Sequence, residues 1–322
     1  MPFITLEEHY ISPHVSAASQ PAREHYALFP PPTITKLECL DTPRIHDMDA
    51  GQVSLQVISH GPGDVPPQVC RQANDDLASA VARHPRRLAA FAMLPMTEPD
   101  AAAEELTRCV TEHGFLGALV ENHLHDGTFY DDQRFWPVFA IAEQLDVPIY
   151  IHPAFASEAM LQTHHRGNYD DSVALALSAF GWSWHTETGL HVLRLYASGL
   201  FDRFPRLKIL LGHMGEMLPF QLDRVCAVSE RWPGLRRKLR DVWRHNIYVT
   251  TSGMFSLPPL ACLLQTTSID HVLYSVDYPF SSNERGLQFF EEVKKSGLIA
   301  GEDLDRFAYK NAETLLGVKL DL

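Results

Sequence analysis

The polar side chains that could do chemistry in this sequence stand at the ends of short apolar runs. Glu7 and His9 end the first run, and because they are two positions apart they point to the same side of a strand. His152 ends a run in the middle of the chain, and Asp277 ends a run near its C-terminus. Two carboxylates and two imidazoles are a ligand set that suits one divalent ion, Zn²⁺ or Mn²⁺.

A further histidine, His213, follows another apolar run and would stand beside this group without being needed to complete it. Taken singly, these residues have ordinary alternatives. Glu7 could be a solvated loop carboxylate and His152 a hydrogen-bonded core histidine. His213 could cap a helix, and Asp277 could form a turn or a cap. Their shared position at the ends of apolar runs favours the metal site over separate structural roles.

These side chains can meet only if the preceding runs are strands of one closed sheet. Eight β-rich runs alternate with helical stretches over about 280 residues, which predicts a single α/β barrel of the (β/α)8 TIM type over residues 1–322. An open doubly wound sheet is the alternative. The predicted strands are Phe3–His9, Ser54–Ser59, Ala89–Leu94, Gly117–Glu121, Pro148–His152, Leu207–His213, Ile247–Thr251 and His271–Asp277.

Two connections are too long to be simple turns, and they predict insertions after strands 1 and 5. They cover Ile11–Pro43 and Ala154–Ser183, and in a barrel both would lie at the C-terminal face, where insertions form pockets and lids.

No glycine-rich phosphate-binding motif follows any predicted strand. The H-x-H motif and the strand-4 lysine of binuclear barrel hydrolases are missing as well, so a single metal is predicted.

Charge and composition exclude other classes of function. The chain has 322 residues, with 27 Lys and Arg against 40 Asp and Glu, a formal charge of −13. An acidic chain of this kind argues against nucleic acid as a partner. No apolar segment is long enough to span a membrane, and the first residues lack the pattern of a signal peptide. Five scattered cysteines without a C-x-x-C spacing are typical of a reduced, cytoplasmic protein.

Longer stretches of the chain follow one known pattern: Leu6–His9, Pro43–Gly51, Asp131–Pro137, Ile151–Pro153, Glu187–Gly189, Ser198–Pro205, Leu211–Glu216, Leu218–Phe220 and Ser275–Phe280. In these stretches the sequence resembles the amidohydrolase-2 (ACMSD-like) family. Within it, the resemblance is to the non-oxidative decarboxylases of hydroxybenzoates such as γ-resorcylate, 2,3-dihydroxybenzoate, salicylate, 6-methylsalicylate and 5-carboxyvanillate. It covers nearly the whole chain and is most specific from strand 6 into the following helix.

The resemblance implies roles for individual residues and for the assembly. His213 and Glu216 would form a hydrogen-bonded pair beside the substrate. Self-association into a homodimer or homotetramer is expected. The metal ligands would be Glu7, His9, His152 and Asp277. They would hold one ion, with Zn²⁺ as the first expectation and Mn²⁺ as the second. The predicted substrate contacts are Arg224 (at an anionic or phenolic oxygen), Asn122 and Phe280. Aromatic side chains that could enclose a ring, with core packing as the alternative for each, are Tyr26, Phe155, Phe255, Tyr278 and Phe280.

The reaction implied is the non-oxidative and possibly reversible decarboxylation of an ortho-hydroxybenzoate. The metal would chelate the carboxylate and the phenolic oxygen of this small aromatic acid. Asp277 would protonate the ring carbon that carries the carboxyl group, and CO₂ would then leave. His213, oriented by Glu216, would stabilise the developing oxyanion or relay protons. Two alternatives remain: hydrolysis of a lactone or amide at the same metal, and a barrel that binds a metal or an aromatic ligand without turnover.

Overall fold

The computed structural model of the chain describes residues 1–61 and 63–321, and at Arg23 the backbone alone. The strands within these residues are all parallel to their neighbours and follow one another in sequence order. They are β1 (Phe3–Tyr10), β2 (Val53–His60), β3 (Leu88–Ala90), β4 (Ala92–Met93), β5 (Ala118–Glu121), β6 (Ile149–His152), β7 (Ile209–Leu211), β8 (Ile247–Thr250) and β9 (Val272–Leu273).

The strands close into a TIM barrel at two seams. One seam lies between β3 and β4, which are separated only by Phe91, whose amide still donates to the carbonyl of Ile58 in β2 at 2.9 Å. At the other seam Glu8 of β1 pairs with Tyr278, beyond the end of β9. The predicted barrel is therefore confirmed, although its third strand is split in two.

The last predicted strand is shorter in the structure and ends at Leu273 rather than Asp277. Side chains replace the strand ladder beyond that point. The amide of Ser275 donates to Thr251 Oγ1 at 3.0 Å, and the amide of Val276 donates to Glu8 Oε1 at 3.1 Å. Because side-chain oxygens accept these bonds, the chain can leave the sheet geometry and turn Asp277 into the barrel.

Helices connect the strands and surround the sheet. They are α1 (Pro13–Ala18), α2 (Gln20–Tyr26), α3 (Pro31–Leu37), α4 (Thr42–Ala50), α5 (Pro67–Arg83), α6 (Pro99–His113), α7 (Trp136–Gln144), α8 (Glu158–Met160), α9 (Asp171–Ser178), α10 (Ser183–Ala197), α11 (Leu200–Arg203), α12 (His213–Glu216), α13 (Leu218–Ser229), α14 (Leu239–Asn246), α15 (Leu257–Thr266), α16 (Asn283–Ser296), α17 (Glu302–Asp305) and α18 (Asn311–Leu316). Short 3₁₀ segments are Gln133–Phe135 and Ile269–His271, and π-helical segments are Leu161–His165 and Arg306–Lys310.

Burial of both faces explains why the strands are continuous apolar runs. Every residue of β6 and β7 is buried, since side chains fill the barrel on one face and helices cover the other. The main apolar core includes these strands and the helices around them. None of the helices in the described part of the chain is long and apolar enough to cross a membrane.

The two long connections fold over the C-terminal ends of the strands. The first, after β1, forms α1 to α3 and has a small core of its own that includes Val15, Tyr26 and Leu37. The second, after β6, forms α8, the π-helical segment Leu161–His165 and α9 before α10 begins. Both connections contribute side chains to the cavity described below.

Candidate active site

The four predicted metal ligands meet at the C-terminal end of the barrel. Glu7, His9 and His152 offer donor atoms that all lie within 4.8 Å of one another. His152 Nε2 is 3.3 Å from Glu7 Oε1. The fourth residue, Asp277, brings Oδ1 to 3.4 Å from His9 Nε2. Residues up to 270 positions apart in sequence thus surround one point, as the strand-end pattern predicts.

The donor atoms fit a bound metal ion. Glu7 Oε1 and His9 Nε2 are buried, and within the described residues neither has a hydrogen-bond partner. Buried polar atoms in native proteins nearly always have one, so this pair points to a ligand. His152 is turned the same way, because its Nδ1–H donates to the carbonyl of Pro153 at 2.7 Å and leaves Nε2 as the lone pair facing Glu7. A single divalent metal is therefore supported.

The charges of the polypeptide alone make this point strongly polar. Burial works against the charge on Glu7, yet His213 above all holds the pKa of its carboxyl well below the usual range. Burial, and then the neighbouring Glu7 carboxylate, raise the pKa of Asp277 to about 8. Two carboxylates that repel each other in a buried site are an arrangement that a divalent cation stabilises.

Neighbouring residues fix the position of Glu7. The Tyr150 hydroxyl donates to Glu7 Oε2 and also lies 2.7 Å from Thr250 Oγ1. Gly212, at the end of β7, faces the same oxygen, and a Cβ atom at this position would collide with Glu7 Oε2. The glycine is needed here because the carboxylate approaches the backbone so closely.

Glu8, one residue further along, serves the fold instead of the site. Its carboxylate accepts hydrogen bonds from the Ser275 hydroxyl at 3.0 Å and from the amides of Val276 and Tyr278 at 3.1 and 2.9 Å. These bonds tie β1 to the segment after β9. The alternation of a strand thus sends two adjacent carboxylates to opposite faces, one towards the metal ligands and one into the barrel seam.

His213 and Glu216 lie in a tight left-handed turn that follows β7. The φ angles are 46° at His213, 59° at Met214 and 53° at Glu216, values that are uncommon for residues other than glycine and that cluster at functional sites. The turn brings His213 Nδ1 to 2.8 Å from Glu216 Oε1 and His213 Nε2 to 3.7 Å from Glu7 Oε1. The structure therefore brings the predicted pair together beside the metal ligands.

The same carboxylates set the charge of His213. Burial works against the charged imidazole, but Glu216, Glu7 and Asp277 outweigh it and raise the pKa of His213 to about 10. For Glu216, burial is opposed mainly by His213, and the net effect lowers the pKa of its carboxyl. With the polypeptide charges alone, this is an ion pair at neutral pH.

A third residue, His185, joins this pair and was not among the predicted site residues. Its Nδ1 lies 2.7 Å from Glu216 Oε2, and its ring centroid is 4.9 Å from that of His213. A signal was available, because His185 is one helical turn before Gly189 on α10. A Cβ at Gly189 would lie 2.7 Å from the Glu216 carbonyl oxygen, so this face of α10 packs directly on the turn. These separations are hydrogen-bond lengths, which makes the trio a hydrogen-bonded chain rather than a second metal site.

The polar residues form the floor of a cavity of about 310 Å³, within the size range of small-molecule sites. The floor consists of His152, His185, His213 and Asp277. The walls are mainly aromatic: Tyr26 and Phe29 come from the first insertion, Phe155 and Phe180 from the second, Trp184 from α10 and Phe280 from the segment after β9. A flat apolar ring that carries a metal-binding polar edge matches this division.

The predicted substrate contacts do not all line the cavity. Phe280 does, with its ring centroid 5.7 Å from that of His9. Asn122 is buried and is not part of the lining. Its side-chain NH₂ donates a hydrogen bond to Thr188 Oγ1 at 3.1 Å, and its Oδ1 accepts one from the backbone N–H of Ala154 at 3.0 Å. Arg224 is exposed on α13 and is not part of the lining.

Two of the five aromatic residues expected to enclose a ring lie elsewhere. Phe255 packs on Phe289, with ring centroids 5.4 Å apart. The Tyr278 hydroxyl bonds Asp47 Oδ2 at 2.6 Å. Tyr278 follows Asp277 directly, so when the carboxylate turns into the barrel the tyrosine ring points away from it. For both residues the alternative of core packing holds, since proximity in sequence to the site does not fix the direction of a side chain.

Comparison with known proteins identifies the family of the chain. The sequence model of the amidohydrolase family (Amidohydro_2) matches residues 36–318. Decarboxylase orsB of Emericella nidulans is 46% identical over 326 residues, covering 99% of this chain and 98% of its own length.

Two solved structures extend the comparison. A crystal structure of 2,6-dihydroxybenzoate decarboxylase complexed with 2,6-dihydroxybenzoate has a TM-score of 0.86 and 32% identity, covering 99% of this chain and 100% of that one. Dihydroxybenzoic acid decarboxylase of Polaromonas sp., with bound manganese and the inhibitor 2-nitroresorcinol, has a TM-score of 0.87 and 32% identity, covering 98% and 97%. The chain therefore belongs to the amidohydrolase family, among relatives that are decarboxylases.

Proposed function

We propose that this protein is a metal-dependent, non-oxidative decarboxylase of an ortho-hydroxybenzoate-type acid, a carboxy-lyase. One observation carries the proposal: Asp277 belongs to the cluster of metal-binding donors and also lines the aromatic cavity. A single carboxyl group thus faces both the proposed metal position and the space for a ring. The relatives named above support the same class of reaction, since all three are decarboxylases.

The substrate proposed is a small aromatic acid, which has to be captured locally. The chain carries a net charge of −13, so its surface as a whole repels an anion. The ring would lie between aromatic side chains such as Phe155, Trp184 and Phe280, which line the cavity. The carboxylate of the substrate would lie at the polar floor.

A single divalent metal would be held by two carboxylates and two imidazoles, those of Glu7, Asp277, His9 and His152. When bound, it supplies Lewis-acid chemistry, lowering the pKa of the phenol and orienting the ring. Zinc and manganese both suit this mixed oxygen and nitrogen set. The sequence-based order places zinc first, whereas the Polaromonas structure holds manganese. Elemental analysis of the purified protein decides between them.

The polypeptide would supply the proton and stabilise the charge. Asp277 would receive the phenolic proton when the substrate binds and deliver it to the ring carbon that carries the carboxyl group. A C–H bond forms there, the C–C bond to the carboxylate breaks, and its electron pair restores the aromatic ring as CO₂ leaves. His213, held by Glu216 at 2.8 Å, would donate a hydrogen bond to the oxygen on which negative charge develops.

Release of CO₂ from a panel of hydroxybenzoates, compared with the opening of aromatic lactones, tests this function. We expect the metal-loaded protein to release CO₂ from at least one ortho-hydroxybenzoate and to leave lactones intact. Lactone opening without CO₂ release would support the metal-dependent hydrolase instead. A metal-loaded protein that turns over neither class would support a binding protein.

Four finer predictions stay proposals. Arg224 and Asn122 are proposed substrate contacts, although neither lines the cavity of its own chain. If Arg224 captures the substrate anion, R224Q should raise KM sharply.

A homodimer or homotetramer is also proposed. The exposed rings of Phe180, Trp182 and Phe220, which are 60%, 52% and 77% accessible, would be covered in such an assembly. Light scattering measures the mass of the assembly and therefore the number of subunits. A cytoplasmic location is the fourth.

A further inference from the structure

His185 has one ring nitrogen that the hydrogen-bonded chain to His213 does not use. Its imidazole lines the cavity, and 14% of its side chain is accessible. Nδ1 lies 2.7 Å from Glu216 Oε2, while the other oxygen of Glu216 lies 2.8 Å from His213 Nδ1. Within the described residues, Nε2 of His185 is not involved in a hydrogen bond or ion pair.

The partner of Nδ1 fixes what Nε2 can do. An ionised carboxylate can only accept hydrogen bonds, so the hydrogens must be on Nδ1 of His185 and on Nδ1 of His213. A neutral His185 ring therefore carries a lone pair on Nε2 and can accept a hydrogen bond there. Since the two nitrogens lie on different sides of the ring and Nδ1 faces the buried Glu216, the accessible part of the ring faces the cavity.

The other imidazoles of the floor are directed elsewhere. Nε2 of His152 lies 3.3 Å from Glu7, and Nε2 of His213 lies 3.7 Å from Glu7 and 4.0 Å from Asp277. Both face the metal ligands, where the carboxylate and the ortho hydroxyl of the substrate would bind. The ring of His185 instead packs beside that of His213, with centroids 4.9 Å apart, and lines the same cavity as the aromatic walls.

We propose that His185 is a specificity-determining residue whose Nε2 accepts a hydrogen bond from a second ring hydroxyl of the substrate. The preferred substrate is then a dihydroxybenzoate, with one hydroxyl ortho to the carboxylate and another directed at His185. This inference rests on the proposed function and names the substrate class within it. A bound ring would shield this acceptor from water, so a monohydroxy analogue, which leaves it unpaired, would bind less well.

Two variants separate this role from the support of Glu216. H185N keeps an N–H group near the position of Nδ1, and so can still donate to Glu216, but it has no counterpart of Nε2. H185F removes both groups. The control is H46N, because His46 is exposed on α4 and does not line the cavity.

The measurements are ratios, so that the different reactivities of the substrates cancel. The first ratio is kcat/KM for 2,4- or 2,6-dihydroxybenzoate over that for salicylate. The second is the Kd of 2-nitrophenol over that of 2-nitroresorcinol with the metal-loaded protein. For at least one dihydroxy compound we expect H185N to lower the ratio about tenfold, the size of one good hydrogen bond. H46N should leave it unchanged.

Ratios in H185N that match the wild-type protein for every compound would overturn the role of His185. H185F distinguishes a purely structural role, in which turnover of salicylate and of the dihydroxy acids would fall by the same factor. The binding ratio does not depend on catalysis. It therefore still tests His185 if no acid releases CO₂, an outcome that would instead contradict the proposed function.

Discussion

The floor and the walls of the cavity are built in different ways. The floor residue His152 and the adjoining metal ligand Glu7 lie on barrel strands, fully buried or nearly so, and hydrogen bonds to Pro153 and Tyr150 hold them in place. The walls come largely from the two insertions and include Phe180, which is 60% accessible. The barrel thus fixes the chemistry, while the insertions shape the space for the ring.

Removing the proposed acid from the floor should have the largest effect. In D277N the side chain can no longer accept the phenolic proton and deliver it to the ring, and it is also a weaker metal ligand. We expect kcat to fall by about 10⁴-fold or more, the upper range for a general acid. CO₂ release, measured together with metal content, checks this. A near-wild-type rate with metal bound would exclude Asp277 as the acid.

Two adjacent carboxylates of β1 provide the next contrast. E7Q should bind less than about a tenth of the wild-type metal but change thermal stability little, because Glu7 serves the metal group. E8Q should keep one metal per chain and lose about 1–3 kcal/mol of unfolding free energy, since its amide NH₂ would face the buried N–H group of either Val276 or Tyr278. Metal analysis and denaturant unfolding separate the two. The reverse pattern would show that their roles are misassigned.

The hydrogen-bonded pair beside the metal group should matter less than the acid. E216Q removes the charge that stabilises the protonated His213 imidazole and holds its ring at 2.8 Å. We expect kcat to fall about 10²-fold while metal content and KM change little, as for the loss of an orienting group. The pH profile supplies a second readout. Glu216 raises the pKa of His213, so activity in the variant should be lost at a lower pH as His213 deprotonates.

The smallest effect is expected from the walls. F155A removes a ring that lines the cavity and stacks on His25 at 4.1 Å, so KM should rise about fivefold from lost apolar contact while kcat and metal content stay near wild type. F255A is the matched control, because this phenylalanine lies outside the lining. A loss of metal in F155A would contradict the independence of walls and floor.

The same division explains which parts of the molecule the sequence predicts. The metal ligands are predictable because strand alternation sets the face of Glu7 and His9, and barrel closure then brings Asp277, which follows the end of β9, next to them. His185 was missed because it comes from α10, beyond an insertion, and only the packing of Gly189 on the turn places it next to Glu216. The directions of aromatic side chains depend on tertiary contacts that spacing does not encode.

The central claim is that one divalent metal at the polar floor supports decarboxylation in this chain. Stripping the protein with a chelator and titrating it with Mn²⁺ or Zn²⁺, while CO₂ release from a hydroxybenzoate is followed, tests it most directly. The rate should rise in proportion to added metal and level off at one equivalent per chain, with E7Q failing to respond. Full activity of the stripped protein, or a rise that continues to two equivalents, would contradict the claim.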